Sequence, residues 1–128
     1  MSNPERKTFA KGTIIFKEGD SGREAYLLQK GKVRIIKNVS GRRITIGNVA
    51  PGQVFGEMAL LDNGVRMGTA FAEEDVTCLT MPKANIDHMM NEANPGLATL
   101  VHSLLASVRS MGDELAQARA ELEEVRRG

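Results

Sequence analysis

Tryptophan is absent from this 128-residue chain, tyrosine occurs once and phenylalanine four times. With aromatics at 4%, a surface on which successive nucleobases stack, as in single-strand binders, is poorly supplied. The lone Cys78 excludes an internal disulfide and fits a reducing compartment. No apolar run approaches the ~20 residues that a membrane helix needs. The opening MSNPERKTFA carries no hydrophobic signal core, so a cytoplasmic location is expected. A glycine-rich phosphate loop ending in lysine is missing. The formal charge of +1 argues against a general polyanion binder.

What remains is ordinary globular material, 41% hydrophobic and 26% charged, enough for one domain with a modest core. Charge is uneven. Residues 1–50 hold eleven of the 17 basic and four of the 16 acidic residues, a net of +7, which leaves −6 for the rest. Much of the excess sits on Lys32, Arg34, Lys37, Arg42 and Arg43, which read as a solvated hairpin face rather than a patch for an acidic partner.

Ten of the thirteen glycines fall within residues 12–68 and cut that half into short pieces. Between them lie Thr13-Ile14-Ile15-Phe16, Ala25-Tyr26-Leu27-Leu28, Val33-Arg34-Ile35-Ile36 and Ile44-Thr45-Ile46. Short β-rich segments at this spacing predict an all-β sandwich or barrel. Ser40-Gly41 predicts a tight hairpin turn, and Pro51-Gly52 a turn delivering the chain to Phe55. Residues 69–72 and 76–81 read as two further strands around the acidic turn Glu73-Glu74-Asp75. Cys78 lies in the second of these strands as a small buried hydrophobe.

At Pro82 the pattern changes. Residues 82–92 predict a short helix with Ile86, Met89 and Met90 inward. Asn94 as N-cap and Pro95 at the first helical position then open a helix that runs to the end, roughly 30 residues or ~45 Å. Val101, Leu104, Val108, Met111, Leu115, Ala118, Leu122 and Val125 follow a heptad a/d register. Glu114 would meet Arg119, and Glu121 would meet Arg126, across a parallel pair. A parallel homodimer through these eight residues is therefore expected. Leu97, Leu100 and Leu105 are expected to touch the helix's own domain. The chain divides into a β-roll over residues 1–81 and C-terminal helices over 82–128, within one structural domain.

The remaining motif is FGEMALLDNGVRMGT, residues 55–69. A glycine and a glutamate open it, and one arginine stands alone in an uncharged run near its end. With Arg66 nine residues after Glu57 and Thr69 following, it resembles the phosphate-binding cassette of the cyclic nucleotide-binding domain family. The upstream KGTIIFKEGDSGREAYLLQKGKVRII is also similar to that family's opening strands. The resemblance implies an eight-stranded jelly roll (a double-stranded β-helix), a hinge helix and a long C-terminal coiled-coil helix. It implies Glu57 on the ribose, Arg66 on the phosphate, and backbone amides near Ala59 and Met67 on phosphate oxygens. The residue chemistry agrees. Arg66 offers a planar fork of donors, Glu57 an acceptor for a 2′-hydroxyl, and a short helix from Glu57 its free N–H groups at Met58 and Ala59. Gly56 permits close approach of the backbone.

Some positions depart from the family. Val65 stands where proline is common, Met67 where a small or hydroxyl residue is common, and Gly68 where alanine is usual. Loss of the hydroxyl favours cyclic AMP over cyclic GMP. The helices that usually precede the first strand in the family are expected to be shortened or lost. By the family's layout Arg109, Ser110, Gly112 and Asp113 cross the pocket mouth, with Ser110 and Asp113 the candidates for reading the base. Gly112, costing roughly 1 kcal/mol in mid-helix relative to alanine, would leave room for the base or for a close helix pair. Expected ligand-binding residues are thus Gly56, Glu57, Met58, Ala59, Arg66, Met67, Ser110 and Asp113.

Rival classes are weaker. His88 and His102 both fall on predicted helices, whereas a jelly-roll metal enzyme needs histidine ligands on strands; catalysis, a metal and a cofactor are not expected. A helix-turn-helix after the long helix is common in relatives, but this sequence ends at Arg127-Gly128, so direct DNA readout is not expected of it. A dimerisation module with a vestigial pocket, or a fragment of a larger transcription regulator, channel or signalling enzyme, is the alternative to a sensor. In the sensor reading, ligand orders residues 57–66, shifts the hinge over 82–94 and rearranges the paired helices.

Overall fold

The computed structural model describes residues 5–61, 64–92 and 94–127; residues 62–63 of the cassette and Ala93 of the expected hinge lie outside them. Among the described residues, eight strands form two four-stranded antiparallel sheets. One sheet runs β1 (Arg6–Phe9), β8 (Val76–Pro82), β3 (Glu24–Lys30), β6 (Val54–Phe55). The other runs β2 (Ile14–Phe16), β7 (Thr69–Ala72), β4 (Val33–Val39), β5 (Arg42–Val49). The expected jelly roll is therefore present. Two strands were not legible, β1 and the two-residue β6. β1 is polar and alternates exposed and half-buried along the edge of β8, so it has no continuous apolar signal.

Ser40-Gly41 makes the two-residue turn between β4 and β5, with φ of 51° and 82°. Both values are left-handed, as the primed hairpin turn requires. Further along the hairpin, β5 carries one residue more than β4, because Ile35 pairs with Gly47 and Ile36 with Thr45. The extra residue, Ile46, lines the cavity described below together with Gly47. Between the sheets lies an apolar core of Leu28, Val33, Phe55, Ala70, Val76, Cys78 and their neighbours. Burial pushes the Cys78 thiol up to about 11, so it stays protonated and unreactive at neutral pH.

Helix α1 (Lys83–Glu92) and helix α2 (Pro95–Arg127) close one end. Asn94 caps α2 as expected, its Oδ1 accepting from the Gly96 N–H at 2.9 Å. In α1, Ile86 and Met90 face inward but Met89 is exposed. Ile86 and Met90 are one turn apart and share a face, whereas Met89 sits about 100° from Met90. A second core joins Ile86 of α1 and Val101 and Leu105 of α2 to Met58 and Leu60 of the cassette.

Helix α2 has two faces of different character. Leu105, Gly112, Ala116 and Ala120 are buried against the roll. Leu97, Leu100, Leu104, Val108, Met111, Leu115, Leu122 and Val125 are exposed. Of the three leucines expected to touch the helix's own domain, Leu105 is in the second core, whereas Leu97 and Leu100 are about half exposed. Val101, counted among the seam residues, is half-buried against the roll. Arg119, expected to reach across a helix pair, donates instead to the Thr45 carbonyl of β5. Arg42 adds a hydrogen bond to the Ala120 carbonyl and an ion pair with Glu124. No helix among the described residues is long and apolar enough to cross a membrane.

Candidate functional site

The cassette starts at Gly56, whose φ of 72° only glycine adopts readily. A Cβ there would lie 2.8 Å from Arg66 Nη1 and 3.0 Å from the Phe16 ring. A single 3-10 turn, Glu57–Leu60, follows and buries Met58, Ala59 and Leu60. The short helix expected over residues 57–61 is thus present, one residue shorter and in the tighter 3-10 form, and the Ala59 N–H already donates to the Gly56 carbonyl at 3.2 Å. Ala59 therefore offers no free donor here, contrary to expectation.

The far end of the cassette is held by the turn after β2. Arg66 N–H donates to Asp20 O, Gly19 N–H to Arg66 O, and Gly22 N–H to Gly64 O, each at 2.9 Å. These bonds fix the backbone on which Arg66 stands. Its side chain is 4% exposed. Nη1 donates to the Gly56 carbonyl at 2.9 Å, and the guanidinium carbon lies 4.1 Å from the centre of the Phe16 ring and 5.8 Å from that of Tyr26. Nε is buried without a partner among the described residues. Burial works against the charge, while Tyr26, Glu24 and Asp20 favour it; the balance lowers the pKa. An arginine nevertheless remains protonated. Tyr26, itself pushed up to about 12 by burial and by its hydrogen bond to Glu24, keeps its proton too.

A cavity of about 140 Å³ opens beside this group. Gly56, Glu57, Met58, Arg66 and Met67 all line it, so five of the eight expected residues converge. Its other wall is apolar, made by Ile35, Ile46, Val49 and Val54. Glu57 and Arg66 are its ionisable side chains among the described residues. They form no ion pair with each other among the described residues, so neither is spent on neutralising its neighbour.

Asp113 and Ser110 lie outside this cavity. Asp113 forms an ion pair with Lys37 at 3.1 Å, and Ser110 is exposed on α2. Gly112 accommodates neither a base nor a second helix: an added Cβ would meet Met67 Cε at 2.3 Å. The side chain of Met67 thus fills the groove under α2, roofing the cavity from within the chain.

Three contributors were missed by sequence reasoning. Phe16 lies 50 residues from Arg66 in the chain and supplies its stacking face. Gly22 has no left-handed φ and is needed for space, since a Cβ would sit 2.3 Å from the Arg66 guanidinium. Lys37 was assigned to a solvated face, but Val33, Ile35 and Lys37 share one side of β4 by strand alternation. That parity was the available signal. Arg34 and Arg42 are likewise engaged, with Glu73 and with α2, so much of the basic excess ties elements together.

Comparison with known proteins bears on this geometry. Residues 6–93 match the family model described as cyclic nucleotide-binding domain. The chain is 40% identical over 82 residues to the cyclic AMP receptor protein of Thermus thermophilus, covering 63% of this chain and 38% of that protein. It is 27% identical over 118 residues to the cAMP-dependent protein kinase regulatory subunit of Candida albicans, covering 92% of this chain and 25% of that one. Among solved structures, the EAL enzyme Bd1971 in its cAMP-bound form superposes with a TM-score of 0.76 at 31% identity, over 95% of this chain and 33% of that one. The chain thus spans well under half the length of these relatives.

Proposed function

The chain belongs to the cyclic nucleotide-binding domain family, and we propose that it senses cyclic AMP in preference to cyclic GMP and signals through a dimer formed along α2. The observation that carries the ligand assignment is Arg66. A buried guanidinium with an unpartnered Nε, facing a cavity beside an unpaired carboxylate, calls for an anion that also presents a hydroxyl. A cyclic phosphodiester on a ribose has both. The role is binding rather than catalysis, with Glu57 taking the ribose 2′-hydroxyl and Arg66 the phosphate.

The preference for adenine rests on the apolar wall of Ile35, Ile46, Val49 and Val54 and on the thioether at Met67. Guanine carries more polar groups at its edge, and leaving them unpaired there costs more. The dimer assignment rests on the exposed strip of α2. These side chains are 38–76% exposed, so each forfeits a part of the about 1.5–3 kcal/mol that full burial of such a residue contributes, and the strip keeps the heptad spacing of a parallel pair. A ligand can bias the arrangement of two such helices only by binding one arrangement more tightly. A cytoplasmic location belongs to the same proposal and fits the single free thiol.

Titration calorimetry tests the ligand. The intact chain should bind cyclic AMP more tightly than cyclic GMP. Arg66→Ala should weaken cyclic AMP by about a hundredfold, the ~3 kcal/mol of a charge-assisted hydrogen-bonded pair. No heat with either nucleotide would leave a dimerisation module with an unused pocket.

A further inference from the structure

Lys37 lies on the inward row of β4 after Val33 and Ile35, and its side chain is only 17% exposed. Its ammonium lies 3.0 Å from Glu18 Oε2, 3.1 Å from Asp113 Oδ1 and 2.8 Å from the carbonyl oxygen of Met67. Three acceptors match the three protons of an ammonium. Burial opposes the charge, but the bonds to Glu18 and Asp113 outweigh it and raise the pKa. Glu18 is itself fixed, its Oε1 accepting from Asn38 N–H at 2.8 Å and its own N–H donating to Thr69 Oγ1 at 3.0 Å.

Met67 follows the phosphate-facing arginine. Backbone that receives an anion must turn N–H groups toward it and carbonyls away, because a carbonyl oxygen repels negative charge. Met67 and Gly68 line the nucleotide cavity. Lys37 does not; it lines a second cleft with Glu18, Arg109 and Asp113, to which Arg66 and Met67 also contribute. The ammonium therefore draws the Met67 carbonyl away from the cavity. In a trans peptide the next N–H, that of Gly68, points the opposite way.

We propose that Lys37 is a positioning residue for the nucleotide phosphate: it holds the Met67 carbonyl out of the anion site and pins Asp113 of α2 over the same backbone. The inference rests on the nucleotide reading above and deepens it. Asp113 is then the partner of Lys37, and its carboxylate is not available to the base.

The test is calorimetry with cyclic AMP and cyclic GMP on the intact chain and on Lys37→Met, Lys37→Arg and Asp113→Asn. Lys37→Met should weaken both nucleotides by about tenfold or more, the loss expected for a charge-assisted hydrogen bond. Lys37→Arg, which still donates, should recover part of that loss. Asp113→Asn should weaken binding less and leave the ratio of the two affinities unchanged. The phosphorus NMR shift of bound cyclic AMP should move in Lys37→Met but not in Val76→Ala, which loosens the core away from the cavity. Unchanged affinity in Lys37→Met would overturn the positioning role, as would a tenfold shift of nucleotide preference in Asp113→Asn. Should Lys37→Met not fold, Lys37→Arg and Asp113→Asn decide alone. If the wild-type chain binds neither nucleotide, the nucleotide reading fails instead.

Discussion

Keeping a guanidinium dry with no carboxylate against it costs several kcal/mol. At Arg66 that cost is partly offset by the Phe16 ring, with ~2 kcal/mol available from a desolvated cation–π contact, and by the Gly56 carbonyl. The remainder is relieved when an anion arrives, so the residue that makes the empty site unfavourable also makes binding favourable. Gly22 protects this arrangement by having no side chain. Its φ is not left-handed, so Gly22→Ala introduces a clash without backbone strain. That substitution should lower stability by about 1–3 kcal/mol, as overpacking does, and weaken cyclic AMP by at least tenfold; thermal unfolding and calorimetry on the same preparation measure both. Arg66 and Glu57 could be read from the sequence because a nine-residue spacing is local. The parts played by Phe16, Gly22 and Lys37 could not, although strand alternation marks Lys37 as inward-facing, since they reach the site only after the sheets bring residues 30 to 50 positions apart together.

At the scale of elements, alternation and heptad spacing marked six strands and both helices, because each buries one face with its own period. The polar edge strand β1 and the two-residue β6 have no such face and exist only through pairing with β8 and β3. The 3-10 turn was expected as a short helix with free donors at Met58 and Ala59; the Ala59 donor instead closes on Gly56. Helix α2 carries the clearest lesson, for its seam was legible and its inner face was not. Gly112, Ala116 and Ala120 are too small to show as an apolar stripe, yet they let the helix lie on Met67 and β5. Gly112→Ala tests this. Alanine gains roughly 1 kcal/mol of helix propensity, while Met67 Cε, the tip of a flexible side chain, must move. Thermal stability should therefore change by less than about 1 kcal/mol, whereas cyclic AMP affinity should fall as Met67 is pushed toward the cavity; calorimetry beside thermal unfolding separates the two.

The whole molecule places its ligand cavity and its exposed apolar strip on opposite sides of one helix, with Gly112 facing Met67 and Met111 facing outward at 64% exposure. Leu104→Asp combined with Met111→Asp should abolish self-association in sedimentation equilibrium while cyclic AMP binding survives, because neither side chain lines the cavity. A wild-type chain that sediments as a monomer with and without nucleotide would remove the dimer from the proposal. The contact at Gly112 has a mechanical consequence. It lies near the middle of the 33-residue α2, with roughly 25 Å of helix on either side at 1.5 Å per residue, so it acts as a fulcrum. The tethers beyond it, Arg119 to Thr45 and Arg42 to Glu124, lie at the surface, where an ion pair contributes only about 0–1 kcal/mol. A tilt of about 10° about Gly112 would swing the end of the helix by roughly 4 Å, given that rise per residue.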